Sequence, residues 1–95
     1  MGSKEPELYF VFMNFDPEYD RLRADRSRQG AHELDLYLSN KHNKLLATVL
    51  QPETYKKRFS WVIVDGFAVE ITDDQAETLR SVKGVRVVEK NQEIR

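Results

Sequence analysis

The stretch from residue 57 to residue 71 constrains the fold more than any other. Phe59, Trp61 and Ile63 alternate with Ser60 and Val62, Asp65-Gly66 intervenes, and Phe67, Val69 and Ile71 alternate with Ala68 and Glu70. A period of two on both sides of an Asp-Gly pair is the pattern of an antiparallel β-hairpin, because glycine tolerates the positive φ that a tight turn demands. A hairpin alone is marginal in water and needs further strands and an apolar cover. The remainder of the chain has to supply both.

Leu8-Tyr9-Phe10-Val11-Phe12-Met13 is an apolar run of β formers bounded by Pro6 and by Asn14 to Pro17, which predicts a strand buried on both faces. Between Glu33 and Leu50 the period becomes helical. Leu34, Leu38, His42, Leu45 and Val49 recur at steps of three and four, and Pro52 ends the run. Thr72-Asp73-Asp74-Gln75 has the form of a capping box opening a second helix, with its two acids at the positive end of the helix dipole. Ala76, Leu79 and Val82 form the buried stripe of that helix, and Gly84 is expected to stop it in the left-handed conformation. Val85 to Val88 reads as a last strand. Residues 14–32, where arginines 21, 23, 26 and 28 sit among acids, read as a long mobile connection with one helical turn.

The order β-α-β-β-α-β predicts an α+β, ferredoxin-like domain: a four-stranded antiparallel sheet with two helices on one face. Residues 1–7 read as a tag-like lead, 8–90 as the folded domain and 91–95 as a polar tail. A chain of 95 residues is one domain with a thin core. It has no cysteine, so neither disulfides nor thiolate metal ligands reinforce it.

Charge and motifs narrow the function. Fifteen basic residues stand against sixteen acidic ones, without the basic excess of a nucleic-acid binder. No apolar run approaches the ~20 residues of a membrane span. There is no G-x-S-x-G elbow and no H-E-x-x-H pair. The only histidines are His32 and His42, and His42 reads as a residue at the core edge with its ring hydrogen-bonded. No metal, no cofactor and no nucleophile–base pairing is legible, so catalysis is not expected.

What remains is a surface. Leu8, Phe10 and Phe12 alternate with Tyr9, Val11 and Met13, and both sets cannot face the helices. Val62 and Val64 of the second strand and Ala68 of the third are expected to extend the apolar patch on the uncovered face. A contiguous apolar patch of several hundred Å2 on a monomer marks a partner site.

The series Phe59-Ser60-Trp61, Asp65-Gly66-Phe67-Ala68-Val69, Ile71-Thr72, Gln75-Ala76-Glu77-x-Leu79 and Gly84-Val85-x-x-Val88, with Lys41-His42-x-x-Leu45-Leu46 and the opening Tyr9-Phe10-Val11, resembles the propeptide (inhibitor I9) domain of subtilisin-like serine proteases, in its plant subtilase form. The resemblance implies a non-catalytic intramolecular chaperone and inhibitor. Such a domain lays its open sheet face, here including Val62, Ala68 and Glu70, on two surface helices of the protease. It caps the N-termini of those helices with side chains after the last strand, here Glu89 and Asn91. Gln92, Glu93, Ile94 and Arg95 would then run through the substrate cleft, Ile94 and Arg95 toward the fourth and third pockets on the acyl side. The implied partner is the protease catalytic domain, the implied compartment is the secretory pathway or outside the cell, and the free chain is expected to be a monomer. The competing reading is a ferredoxin-like regulatory module that binds a ligand or RNA, which would need a basic or ligand-lined sheet face instead of an apolar one with acids at its rim.

Overall fold

In a computed structural model, which describes residues 5–92, the elements are β1 (Glu7–Met13), α1 (Pro17–Arg23), α2 (Arg28–Val49), β2 (Lys56–Trp61), β3 (Gly66–Ile71), α3 (Asp73–Arg80) and β4 (Val85–Lys90). The strands form one antiparallel sheet in the order β2-β3-β1-β4, the arrangement compatible with a ferredoxin-like fold. Register assigns the two faces. Val11 lies opposite Phe67 of β3 and Val88 of β4, while its neighbour Phe10 lies opposite Ala68 and Glu89.

The face of Val11 is the core. Tyr9, Val11, Phe67, Val69, Ile71, Val85 and Val88 meet Leu46 and Leu50 at the C-terminal end of α2 and Ala76 and Leu79 of α3. Thr72 and Gln75 form the reciprocal capping box that the sequence predicts, with the Gln75 N–H donating to Thr72 Oγ1 at 3.2 Å and the Thr72 N–H donating to Gln75 Oε1 at 3.0 Å. Tyr9 fastens this helix to β1 by donating its hydroxyl to the Asp73 carboxylate.

Several boundaries differ from expectation, each for a local reason. Residues 14–32 are not a bare connection. Asp16 caps α1 by accepting the Glu18 N–H at 3.0 Å, with Pro17 supplying the preset φ of a first helical residue. Ser27 then caps α2, accepting the Gly30 N–H at 3.0 Å, so that helix begins at Arg28 instead of Glu33. Tyr19 and Leu22 of α1 pack on Leu34, Tyr37 and Leu38 of α2, so the arginine-rich segment folds against a helix and leaves the second sheet face uncovered. α3 ends at Arg80, and Gly84, with φ of 100°, serves the turn into β4 instead of capping the helix. β1 is closed on one face only: Tyr9 and Val11 are buried, whereas Leu8, Phe10 and Phe12 are half-buried.

The hairpin is also wider than the Asp65-Gly66 signal predicts. Trp61 pairs with Gly66, so residues 62–65 are the turn and Gly66 already belongs to β3. Val62, Ile63 and Val64 therefore leave the sheet and stand in solvent. The cause is Asp65: its carboxylate is drawn into the protein by Lys41 and His42 and is not available to sit at a two-residue tip.

Candidate protein-docking face

Four aromatic rings occupy the sheet face that no helix covers. Phe12 stacks on Trp61 at 5.7 Å between centroids with 7° between planes. Phe10 tilts against the same indole at 5.3 Å, and Phe59 meets it edge-on at 5.2 Å. These separations lie in the range where aromatic pairs attract beyond their buried area. Trp61 is thus the hub of a cluster drawn from the central strand β1 and the edge strand β2. Gly66 makes the stack possible, because a Cβ at that position would lie 3.1 Å from Phe12 and 3.3 Å from Trp61. The cluster remains open to water, with Phe59 45% exposed.

Carboxylates rim the apolar centre. Glu70, opposite Leu8, forms a 3.3 Å ion pair with Arg58, and Glu89, opposite Phe10, is exposed. Asn91 donates its backbone N–H to the Leu8 carbonyl at 2.9 Å, which carries the β4 direction past the end of the strand, and Gln92 is exposed. Glu93, Ile94 and Arg95 lie outside the described residues. Two predicted contributors are placed differently from expectation. Val62 lies in the β2–β3 turn beyond the sheet. Ala68 is on the expected face but fully buried, because Phe10 and Phe59, its partners on the two flanking strands, close over the small methyl. Phe10, Phe12 and Phe59 are the better anchors, and strand alternation around Ala68 was the signal that could have found them.

Behind this face, on the helix side, lies a polar chain that sequence reasoning missed. His42 is fully buried with its ring 4.7 Å from that of Phe67, and both its nitrogens are occupied. Nε2 bonds Asp65 Oδ1 at 2.8 Å and Nδ1 bonds Ser60 Oγ at 2.7 Å. The Lys57 ammonium donates to Ser60 Oγ at 3.0 Å, and Lys41 bridges Asp65 to Asp16, the latter at 2.8 Å. Tyr37 adds its hydroxyl to Asp16 at 2.6 Å. Burial lowers the proton affinity of His42 and the Asp65 carboxylate only partly opposes this, so the ring sits below the usual histidine range. For Asp65 burial works upward, but His42 and Lys41 outweigh it and hold the carboxyl down. For Asp16 burial likewise works upward, and hydrogen bonds from Lys41, Tyr37 and the Glu18 N–H prevail to hold it at about 2.

The Ser60–His42–Asp65 order corrects the expectation that no nucleophile–base pair exists. It does not have the form of a reactive centre, because the imidazole is fully buried beside Phe67 with both nitrogens engaged. The chain is a brace: it ties α2 to β2 and to the β2–β3 turn on either side of Trp61. Among the described residues no group of three His, Cys, Asp or Glu side chains is placed to hold a metal ion, and no helix is long and apolar enough to cross a membrane.

Residues 19–95 match the peptidase inhibitor I9 family. Along 94% of its length the chain is 31% identical to Subtilisin-like protease SBT2.5 and 37% identical to Subtilisin-like protease SBT2.6, both of Arabidopsis thaliana. It spans 13% of the length of each of these relatives. No solved structure matches it.

Proposed function

The chain belongs to the peptidase inhibitor I9 family, in the non-catalytic propeptide form that plant subtilisin-like proteases carry, and from that premise we propose that it inhibits and chaperones a subtilisin-like serine protease by laying its helix-free sheet face on the catalytic domain. One observation carries the reading: Phe10, Phe12, Phe59 and Trp61 form a single aromatic cluster on the sheet face that, among the described residues, no helix covers. Clustered aromatics with a polar rim are the composition of an interface centre, where a few large rings supply most of the binding energy. The aromatic centre, with Glu70 and Glu89 at its rim and Arg58 already paired to Glu70, favours a protein partner over RNA. In this reading Glu89 and Asn91 cap helices of the partner, and Gln92 to Arg95 occupy its cleft as an extended strand, a mode in which main-chain hydrogen bonds give affinity and alternate pockets give specificity. The same reading puts the chain in the secretory pathway or outside the cell and makes it a monomer until it meets the protease.

The test is inhibition of peptide hydrolysis by plant subtilases. Sub-micromolar inhibition by the wild-type chain is expected, with loss of about 2 kcal/mol or more, roughly thirtyfold in the inhibition constant, for Trp61→Glu. Absence of inhibition across several such proteases refutes the reading, and so does full potency of a folded Trp61→Glu variant.

A further inference from the structure

A second apolar surface lies at the end of the sheet away from the start of β1 and the end of β4. Those two strands are antiparallel, with Tyr9 opposite Lys90 and Met13 opposite Val85. The β2–β3 turn follows Phe12 and its partner Gly66, so it sits at the Met13 end, about 20 Å from the other. At that end Phe15 and Ile63 are 79% and 77% exposed. Both border a cavity of about 270 Å3 that Met13, Tyr19 and Val64 also line. One wall is α1, which packs on α2 on the helix side of the sheet, so the groove is separate from the aromatic face.

The backbone beneath these side chains is fixed. The Met13 N–H donates to the Asp65 carbonyl and the Asn14 N–H to the Gly84 carbonyl, each at 2.8 Å. The Tyr19 hydroxyl donates to the Val62 carbonyl at 2.9 Å, and Asp16 caps α1 directly after Phe15. Phe15 and Ile63 are therefore held at set positions, and a ligand that meets them orders little of the chain.

The charge at the mouth is uneven. Asp16 and Asp65 line the cavity, but Lys41 pairs with both. Glu18, on the same helix, is taken by Arg21. Asp20 and Arg23 remain, and they share an adjoining basin of about 430 Å3 with Arg26. Neither Arg23 nor Arg26 has an ion-pair partner among the described residues. Two guanidinium groups against one carboxylate leave a cation beside an apolar cavity, and the arginine fork matches a carboxylate.

Shape and area choose the occupant. Phe15, Ile63 and Val64 expose a few hundred Å2 between them, against the roughly 800 Å2 a side of a standard interface, which is too little for a stable pair of copies. A bilayer surface is flat and would leave the cavity unfilled, whereas one side chain of a peptide fills it. We propose that this groove captures a short acidic segment of a second protein, seating a bulky apolar side chain between Phe15 and Ile63 and its flanking carboxylates on Arg23 and Arg26. Nothing in the site uses Phe10, Phe59 or Trp61, so it stands apart from the docking reading and leaves the aromatic face free.

The test is an NMR titration of the isotopically labelled full chain with the blocked peptide Asp-Glu-Leu-Phe-Asp-Glu, beside the basic peptide Lys-Arg-Leu-Phe-Arg-Lys. Amides of Phe15, Arg23, Ile63 and Val64 should shift and approach saturation below about 1 mM acidic peptide, with those of Phe10, Phe59 and Glu89 unmoved. Ile63→Ser and Arg23→Glu, both at exposed positions that the fold does not need, should each weaken binding about tenfold or more. No saturable shift at that concentration, equal affinity for the basic peptide, or shifts confined to the aromatic face would overturn the proposal. So would binding to vesicles of equal parts phosphatidylserine and phosphatidylcholine that Ile63→Ser abolishes, which would give the patch to a membrane. A dimer in sedimentation equilibrium that Ile63→Ser disperses would give it to a second copy and overturn the proposal as well. In a subtilase inhibition assay Ile63→Ser should match the wild-type chain, and a tenfold loss of potency would assign the groove to the protease instead of a second protein.

Discussion

Replacing Gly66 by alanine tests whether the aromatic hub depends on close approach of two strands. Gly66 does not need a positive φ; among the described glycines only Gly84 has one. What it needs is room. An added Cβ would lie 2.8 Å from the Val11 carbonyl oxygen, with Phe12 and Trp61 atoms at 3.1 and 3.3 Å. The rings could yield by turning, but the carbonyl belongs to β1, which is paired on both sides, so relief requires displacing the sheet centre. Such overpacking costs about 1–3 kcal/mol. Loss of glycine's freedom in the unfolded chain returns about 0.4–1 kcal/mol. The expected net loss is about 1–2 kcal/mol, or roughly 4–16 °C in Tm for a domain of this size. Trp61 is the sole tryptophan, so its fluorescence reports the stack directly. Thermal unfolding followed by circular dichroism, with emission spectra of the native state, is the assay. A Tm within about 2 °C of wild type with unchanged emission would show that the crowding around Gly66 is relieved without consequence, and the account of the hub would fail.

Gly30→Ala should also destabilise, by up to about 2 kcal/mol once the ~1 kcal/mol by which alanine is the better helix former is set against ~1–3 kcal/mol of overpacking; its Cβ would meet the Asp25 side chain and stand 2.7 Å from the Asp25 carbonyl, and a urea midpoint above wild type would contradict this. Tyr9→Phe removes the hydroxyl bond to Asp73 and should cost about 1–2 kcal/mol at neutral pH, measured by denaturant unfolding. Burial, then the Asp73 bond, raises the Tyr9 phenol from 10.0 to about 12, so its contribution is complete below pH ~10 and fades between about 10 and 12. The alkaline decline in stability should therefore be shallower in Tyr9→Phe, and an identical decline would remove Tyr9 from the account.

Much of the fold was legible because local patterns and tertiary demands agree. The capping box at Thr72 to Gln75, the apolar run at residues 8–13 and the alternation of Phe67, Val69 and Ile71 each specify an element by themselves, and the structure keeps all three. The departures arise where a side chain is claimed by a distant partner. Asp65-Gly66 has the chemistry of a two-residue turn, but Lys41 and His42, more than twenty residues earlier, pull Asp65 inward, and the turn widens to expel Val62. Asp16 and Ser27 were readable as helix caps; the four arginines around them masked that signal by resembling a solvated linker. The open sheet face was legible as a surplus of apolar residues in β1, yet its aromatic hub was not. Trp61 meets Phe10 and Phe12 only once β3 lies between their strands, and that register depends on the irregular pairing between Lys57 and Phe59.

The sheet divides the protein into two chemistries that meet at one dipeptide. Asp65 anchors the buried brace, and Gly66 is the floor on which Phe12 and Trp61 stack. An exposed aromatic cluster on an edge strand would ordinarily lose definition in water, since few apolar neighbours restrain its backbone and no helix covers it. Here the restraint comes from the opposite side of the sheet, through groups that are themselves fully hydrogen-bonded. Polar groups suit that task better than further leucines would. Leucines would bind the hairpin to α2 by area, tolerant of small shifts, whereas the Ser60–His42–Asp65 bonds admit one register and one turn length. An aromatic cluster that no helix covers among the described residues thus takes its order from bonds with angular preference on the other side of the sheet.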